Sequence, residues 1–136
     1  MKDQFAHINI ILYVENQELS TEFYSKLFRQ EPDLFVPGMT EFNLAENVTL
    51  GLMPSKGIVR LLGDKIKNPD LANGIPRAEL YLSVDDLPAE YDNAIACGAI
   101  LLSEIEPRDW GDDACYFADP DGHVIAFAKA KGKVLI

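Results

Sequence analysis

The stretch YFADPDGHVIAFAK, Tyr116–Lys129, decides how this chain folds. Two alternating apolar runs flank Asp119-Pro120-Asp121-Gly122, where proline second and glycine fourth suit a type I turn. The stretch is therefore a β-hairpin. Midway along its second strand stands a small residue, Ala126, whose meaning depends on what the hairpin belongs to.

Working outward, the hairpin closes the second copy of a repeat. HINIILYVENQELSTEFYSKLF (7–28) and AELYLSVDDLPAEYDNAIACGA (78–99) have the same organisation. Each opens with an alternating strand that ends in valine, Val14 or Val84, followed by an acidic turn and a helix. The helical apolar residues fall four apart: Leu19, Phe23 and Leu27 in one, Leu87, Tyr91 and Ile95 in the other. Asn16 suits the first N-cap and Asp85 or Asp86 the second; Pro88 is tolerated in the first turn and Gly98 ends the helix. Three strand-like runs follow each helix, DLFVP, TEFNLA and VTLGLMP in the first copy, AILLSE, DACYFA and HVIAFAKA in the second. The chain thus reads as an α+β fold of two βαβββ modules, residues 1–56 and 77–136. A linker, 57–76, joins them and carries a short strand at GIVRLL (57–62).

Strand parity separates two faces. Ile8, Ile10, Leu12 and Val14 should pack against the first helix, while His7, Asn9, Ile11 and Tyr13 look the other way. Leu80, Leu82 and Val84 should pack against the second, leaving Glu79, Tyr81 and Ser83 opposite. Solvent alone would favour Lys, Thr and Glu on the second face; tyrosines interleaved with His, Asn and Glu suit a binding pocket better.

Composition narrows the partners. A net charge of −10 repels phosphate backbones, and no basic stripe is present, so nucleic acid is excluded as a partner. No apolar run is long enough to span a membrane, and no basic amphipathic helix suits a membrane surface. Asp3 and Gln4 interrupt the start where a signal peptide needs an apolar core, and Cys97 and Cys115 form no framework, so a cytoplasmic location is expected. No nucleophile elbow, phosphate loop or zinc-spaced Cys/His set occurs, and Cys115 lies in an apolar strand that favours an inert buried thiol.

A duplicated unit ending in DWGDDACYFADPDGHVIAFA (109–128) resembles the vicinal oxygen chelate superfamily, which includes glyoxalase I, bleomycin-resistance proteins, fosfomycin-resistance enzymes and extradiol dioxygenases. The resemblance covers nearly the whole chain. It implies curved mixed sheets paired around a cleft, and a homodimer. Metal-dependent relatives hold a divalent ion with a His on the first strand of each module and a Glu or Gln on the last. Aligned here, those positions fall on Asn9, Glu79, Gly51 and Ala126. None is the expected residue, and glycine and alanine have nothing to coordinate with. No metal or other cofactor is therefore expected, and a glutathione-hemithioacetal chemistry is disfavoured.

The expectation is a bleomycin-resistance-like protein that sequesters a small organic ligand, cationic or aromatic, without transforming it. His7, Asn9, Tyr13, Glu79, Tyr81, Ser83 and Trp110 are the residues expected to line its cleft. The tyrosines and Trp110 offer flat aromatic surfaces, and Glu79 favours positive charge or hydrogen-bond donors. The alternative is a divergent lyase, isomerase or dioxygenase in which Glu79 or His7 acts as a general base, with a displaced divalent metal.

Overall fold

The computed structural model describes residues 4–131. The chain divides at Ala72/Asn73 into two compact units. In the first, strand β1 (Ile8–Val14) leads into helix α1 (Gln17–Phe28), then β2 (Leu34–Val36), β3 (Met39–Ala45), β4 (Val48–Pro54) and helix α2 (Ser55–Leu62). In the second, β5 (Glu79–Ser83) leads into α3 (Leu87–Ala96), then β6 (Ile100–Pro107), β7 (Asp112–Ala118) and β8 (Val124–Ala130). The strand orders are β1-β4-β3-β2 and β5-β8-β7-β6. In both sheets the first and last strands of the unit run parallel and the other pairs antiparallel. The repeat in the sequence is thus a repeat of topology. No helix among the described residues is long and apolar enough to cross a membrane.

The caps follow the sequence. Asn16 accepts a hydrogen bond from the Leu19 amide at 3.0 Å, and Asp86, rather than Asp85, accepts from the Ala89 amide at 3.1 Å. Each side chain satisfies one amide that the first helical turn leaves unpaired. In α1 the four-residue spacing is only part of the buried face. Leu19 is exposed, and the face that meets the sheet is Ser20, Thr21, Phe23, Tyr24 and Leu27. Likewise Ile95 is exposed on α3, where Leu87 and Ala94 are buried.

In the first unit the core joins α1 to β3 and β4. Tyr24, Leu27, Phe42, Leu50 and Leu52 are at most 1% exposed. The Phe28 ring meets Phe42 edge-on at 5.6 Å, and the Thr21 and Thr40 hydroxyls pair at 2.8 Å inside. Each such apolar side chain contributes about 1.5–3 kcal/mol through burial. Gln17 ties the helix to the β2–β3 turn: its amide donates to the Val36 carbonyl and Thr40 Oγ1, both at 2.9 Å, and its oxygen accepts from the Gly38 amide at 3.0 Å. In the second unit Leu80, Phe117, Ile125 and Phe127 make the dry face, with the Tyr91 ring of α3 tilted against Phe117 at 5.6 Å.

Two expectations need correction. GIVRLL is not a strand but lies within α2, which buries Ile58. A short run of β-branched and leucine residues has no period long enough to separate strand from helix. Here the chain leaves β4 at Pro54, whose fixed φ suits a helix start, and Ser55 Oγ donates to the Val14 carbonyl at 3.3 Å. Nor is the even face of β1 uniformly dry. Val14 is buried, whereas Ile8 is 51% and Ile10 40% exposed, because β1 ends its sheet and α1 packs over β3 and β4.

Candidate functional site

The face of the second sheet opposite α3 is built on alanines. Register places Ala126 of β8 between Tyr81 of β5 and Tyr116 of β7, and Ala128 between Ser83 and Ala114. Directly opposed residues project to the same side, so two tyrosines flank a floor of methyl groups. Ala114, Ala126 and Ala128 are at most 1% exposed, and both tyrosines are half-buried.

Each tyrosine belongs to a small network. The Tyr81 hydroxyl donates to Asp112 Oδ2 at 2.7 Å and accepts from Trp110 Nε1 at 2.7 Å. The two rings lie 6.4 Å apart and tilted by 59°. Burial raises the Tyr81 pKa; the Trp110 hydrogen bond opposes this and Asp112 reinforces it. Across the floor, the Arg108 guanidinium stands 5.0 Å over the Tyr116 ring. Arg108 Nη2 donates to Ser103 Oγ, the Glu104 carbonyl and the Ala114 carbonyl at 2.9, 2.9 and 2.8 Å, and Nε reaches the Ala114 carbonyl at 3.3 Å. The Tyr116 pKa is raised first by burial, then by the charge of Glu79, against the pull of Arg108.

Of the expected residues in this unit, Glu79, Tyr81 and Ser83 therefore share one face, and Trp110 joins them through the Tyr81 hydroxyl. Tyr116, Asp112 and Arg108 are not among the residues expected to line the cleft. Tyr116 stands opposite Ala126 because Gly122, at φ +91°, is an added residue between Asp119 and His123; a plain type I turn over Asp119–Gly122 would set Tyr116 opposite Ile125. Arg108 had a signal, as the one Lys or Arg between Ala78 and Ala128.

In the first unit, Asn9 and Tyr13 lie on the face of the sheet away from α1, opposite Thr49 and Met53. His7, just before β1, meets Thr49 Oγ1 through Nε2 at 2.8 Å, and Thr49 donates onward to Asn43 Oδ1 at 3.1 Å. Because the threonine proton goes to Asn43, His7 Nε2 is the donor of that bond. An open groove of about 810 Å³ lies elsewhere in this unit, among the start of α1, the β2–β3 turn and the start of α2. None of the residues expected from the sequence lines it.

Two of the four positions aligned with the metal ligands of the resembling family, Gly51 and Ala126, carry no ligating atom. A Cβ added at Gly51 would meet Ile11 Cγ1 at 3.1 Å and Met39 Sδ at 3.2 Å, so apolar atoms fill the space of a ligating side chain. Ala126 is wholly buried between its tyrosines. Among the described residues, Asp119, Asp121 and His123 bring donor atoms within 4.8 Å of one another. They serve the turn: Asp119 accepts from the Asp121 and His123 amides at 2.8 and 2.9 Å and pairs with His123 Nδ1 at 2.9 Å.

Residues 14–128 match the model of a glyoxalase-like domain. An uncharacterized protein of Mycobacterium bovis is 27% identical over 115 residues, covering 82% of this chain and 75% of its own. Among solved structures, a glyoxalase-related enzyme from Fulvimarina pelagi superposes with a TM-score of 0.76 at 22% identity, over 93% of this chain and 88% of the other. A glyoxalase/bleomycin resistance protein/dioxygenase from Nocardioides superposes with a TM-score of 0.75 at 17% identity, over 98% and 88%. At these identities the likeness is one of fold.

Proposed function

The chain belongs to the glyoxalase-like domain family, and from that premise we propose that it binds a small organic molecule, with the metal ligands of its relatives replaced, rather than acting through a divalent ion. The observation that carries this reading is the row Tyr81–Ala126–Tyr116. An alanine floor between half-buried tyrosines gives a flat ligand an apolar surface to lie on. Glu79, Asp112, Ser83 and the Trp110 edge supply polar groups around it. In the first unit the face bearing His7, Asn9 and Tyr13 is proposed as a ligand-contacting surface in its own right. We also propose a cytoplasmic homodimer: Cys97 and Cys115 form no disulfide, and Ile8 and Ile10 are exposed on a strand that ends its sheet.

Trp110 is the chain's single tryptophan, so its emission reports on this face without a label. Flat cationic and neutral aromatic compounds found by thermal-shift screening should change that emission. Tyr81→Ala should weaken them about threefold to tenfold, as expected for losing one aromatic contact. Glu79→Ala should weaken the cationic ones more than the neutral ones. Unchanged affinity in both variants would remove the assignment.

One observation favours a second reading, a divergent lyase, isomerase or dioxygenase. The Thr49–Asn43 chain orients His7 through Nε2, which leaves its other ring nitrogen, Nδ1, as the atom that would act as a general base. Turnover measured with and without added nickel, zinc, iron and manganese, in the parent and in His7→Gln, separates the two.

A further inference from the structure

Arg108 is an unusual cation in its setting. The chain carries 22 acidic residues, yet the bonds of this guanidinium go to two backbone carbonyls and a serine hydroxyl, and its central carbon lies over the Tyr116 ring. No carboxylate lies within ion-pair distance of it among the described residues. Its five N–H groups divide unevenly. Nε and Nη2 are taken, which locks the plane of the group, while Nη1 and its two protons have no partner among the described residues.

Part of this arrangement has a local cause. Strand β6 departs from regular pairing with β7 around Ser103, and Arg108 satisfies the acceptors freed there, Ser103 Oγ and the Glu104 carbonyl. A staple of that kind explains Nε and Nη2. It does not explain a half-buried positive charge held against the Ala114 carbonyl and over the Tyr116 ring with Nη1 left over.

We infer that Arg108 anchors an anionic oxygen, so that the ligand of this face is a planar aromatic molecule bearing a carboxylate or a group of like charge and shape. This rests on the reading of the Tyr81–Ala126–Tyr116 row as a binding surface. The ring lies over the alanines between the tyrosines, and the anion meets Nη1 in a charge-assisted hydrogen bond, stronger than its neutral counterpart. Glu79 and Arg108 act with opposite sign on the Tyr116 hydroxyl. A second substituent that donates hydrogen bonds is therefore accommodated toward Glu79, and the favoured ligand is dipolar.

The test uses three compounds of nearly one shape, benzoate, benzamide and benzamidine, titrated against the intact protein with Trp110 emission as readout. Benzoate should bind about tenfold more tightly than benzamide, the usual advantage of a charged over a neutral partner. Arg108→Gln should abolish that preference. Arg108→Lys should keep only part of it, since an ammonium lacks the fixed fork. Thermal melting of both variants reads the staple separately, and the comparison among the three compounds on the parent needs no variant to fold. Should benzamide or benzamidine equal or surpass benzoate, or should Arg108→Gln bind benzoate like the parent, the inference about Arg108 is overturned while the binding surface stands. If none of the three changes the emission, the surface itself is refuted, and Arg108 with it.

Discussion

His123 and Asp119 make the turn of the second hairpin a pH-dependent element. The imidazole Nδ1 lies 2.9 Å from Asp119 Oδ2, with the carboxylate fully enclosed and the imidazole about a quarter exposed. Burial alone would push the His123 pKa down. The hydrogen bond and charge of Asp119, joined by the charge of Asp121, outweigh it and raise the pKa above 6.5. The sign follows from linkage: a group that binds its proton more tightly when folded stabilises the fold fully below the unfolded pKa, near 6.5. That contribution fades as pH rises through the folded value. His123→Gln keeps a polar side chain of similar reach but cannot become charged. A hydrogen bond to a charged partner contributes about 1.5–3 kcal/mol, so the variant should be less stable than the parent by roughly that amount at pH 5.5. With a urea m-value of about 1–3 kcal/mol/M, the midpoint should fall by about 1 M. At pH 8.5 the gap should shrink to a few tenths of that. Urea titrations followed by circular dichroism across this range decide the matter. A gap that is constant with pH, or one that widens as pH rises, would refute the assignment of the proton to this pair.

The remaining predictions concern the frame around the site. Gly122→Ala should cost more than about 1 kcal/mol, visible as a lower melting temperature, because the backbone there has φ +91° and the new Cβ would sit 2.7 Å from the Gly74 carbonyl oxygen. Gln17→Ala should cost about 1–2 kcal/mol in chemical denaturation, since one side chain makes three bonds that hold the β2–β3 turn to α1. Hydrogen exchange at the Gly38 amide should speed up in that variant, and unchanged protection there would show that the turn stands without Gln17.

Topology was legible because the sequence states it twice. One copy of strand-helix-three-strands could belong to many folds; two copies in order, each with its cap, leave few alternatives. The DPDG turn marked the last hairpin, while its register, with Tyr116 opposite Ala126, depends on the added residue Gly122. What stayed hidden had physical reasons. Parity says which face a residue takes but not whether anything covers that face, so the exposure of Ile8 and Ile10 depended on where α1 settled. The helical residues 55–62 were obscured by β-branched content over a run too short to show a period. Arg108 escaped because it precedes β7 in a turn, where no strand parity applies, and its direction is set by the irregular pairing of β6.

The alanine at position 126 and the tyrosines beside it form one arrangement. Directly opposed residues in neighbouring strands have Cβ atoms about 4.5–5.5 Å apart, so the Tyr81 and Tyr116 side chains rise on either side of position 126 with little more than a ring's width between them. A carboxylate rising from that floor would have to share the gap with two aromatic rings. It would do so within reach of the fields of Glu79 and Asp112, which already act on Tyr116. A third negative charge there would need a cation to offset it. With a methyl group instead, the gap is apolar at its base and polar at its rim. Arg108, the one Lys or Arg between Ala78 and Ala128, is held by neutral acceptors, and on the inference above its charge is kept for the ligand. On the function proposed above, an alanine in place of an ion-binding side chain and a surface for a flat molecule are one and the same substitution.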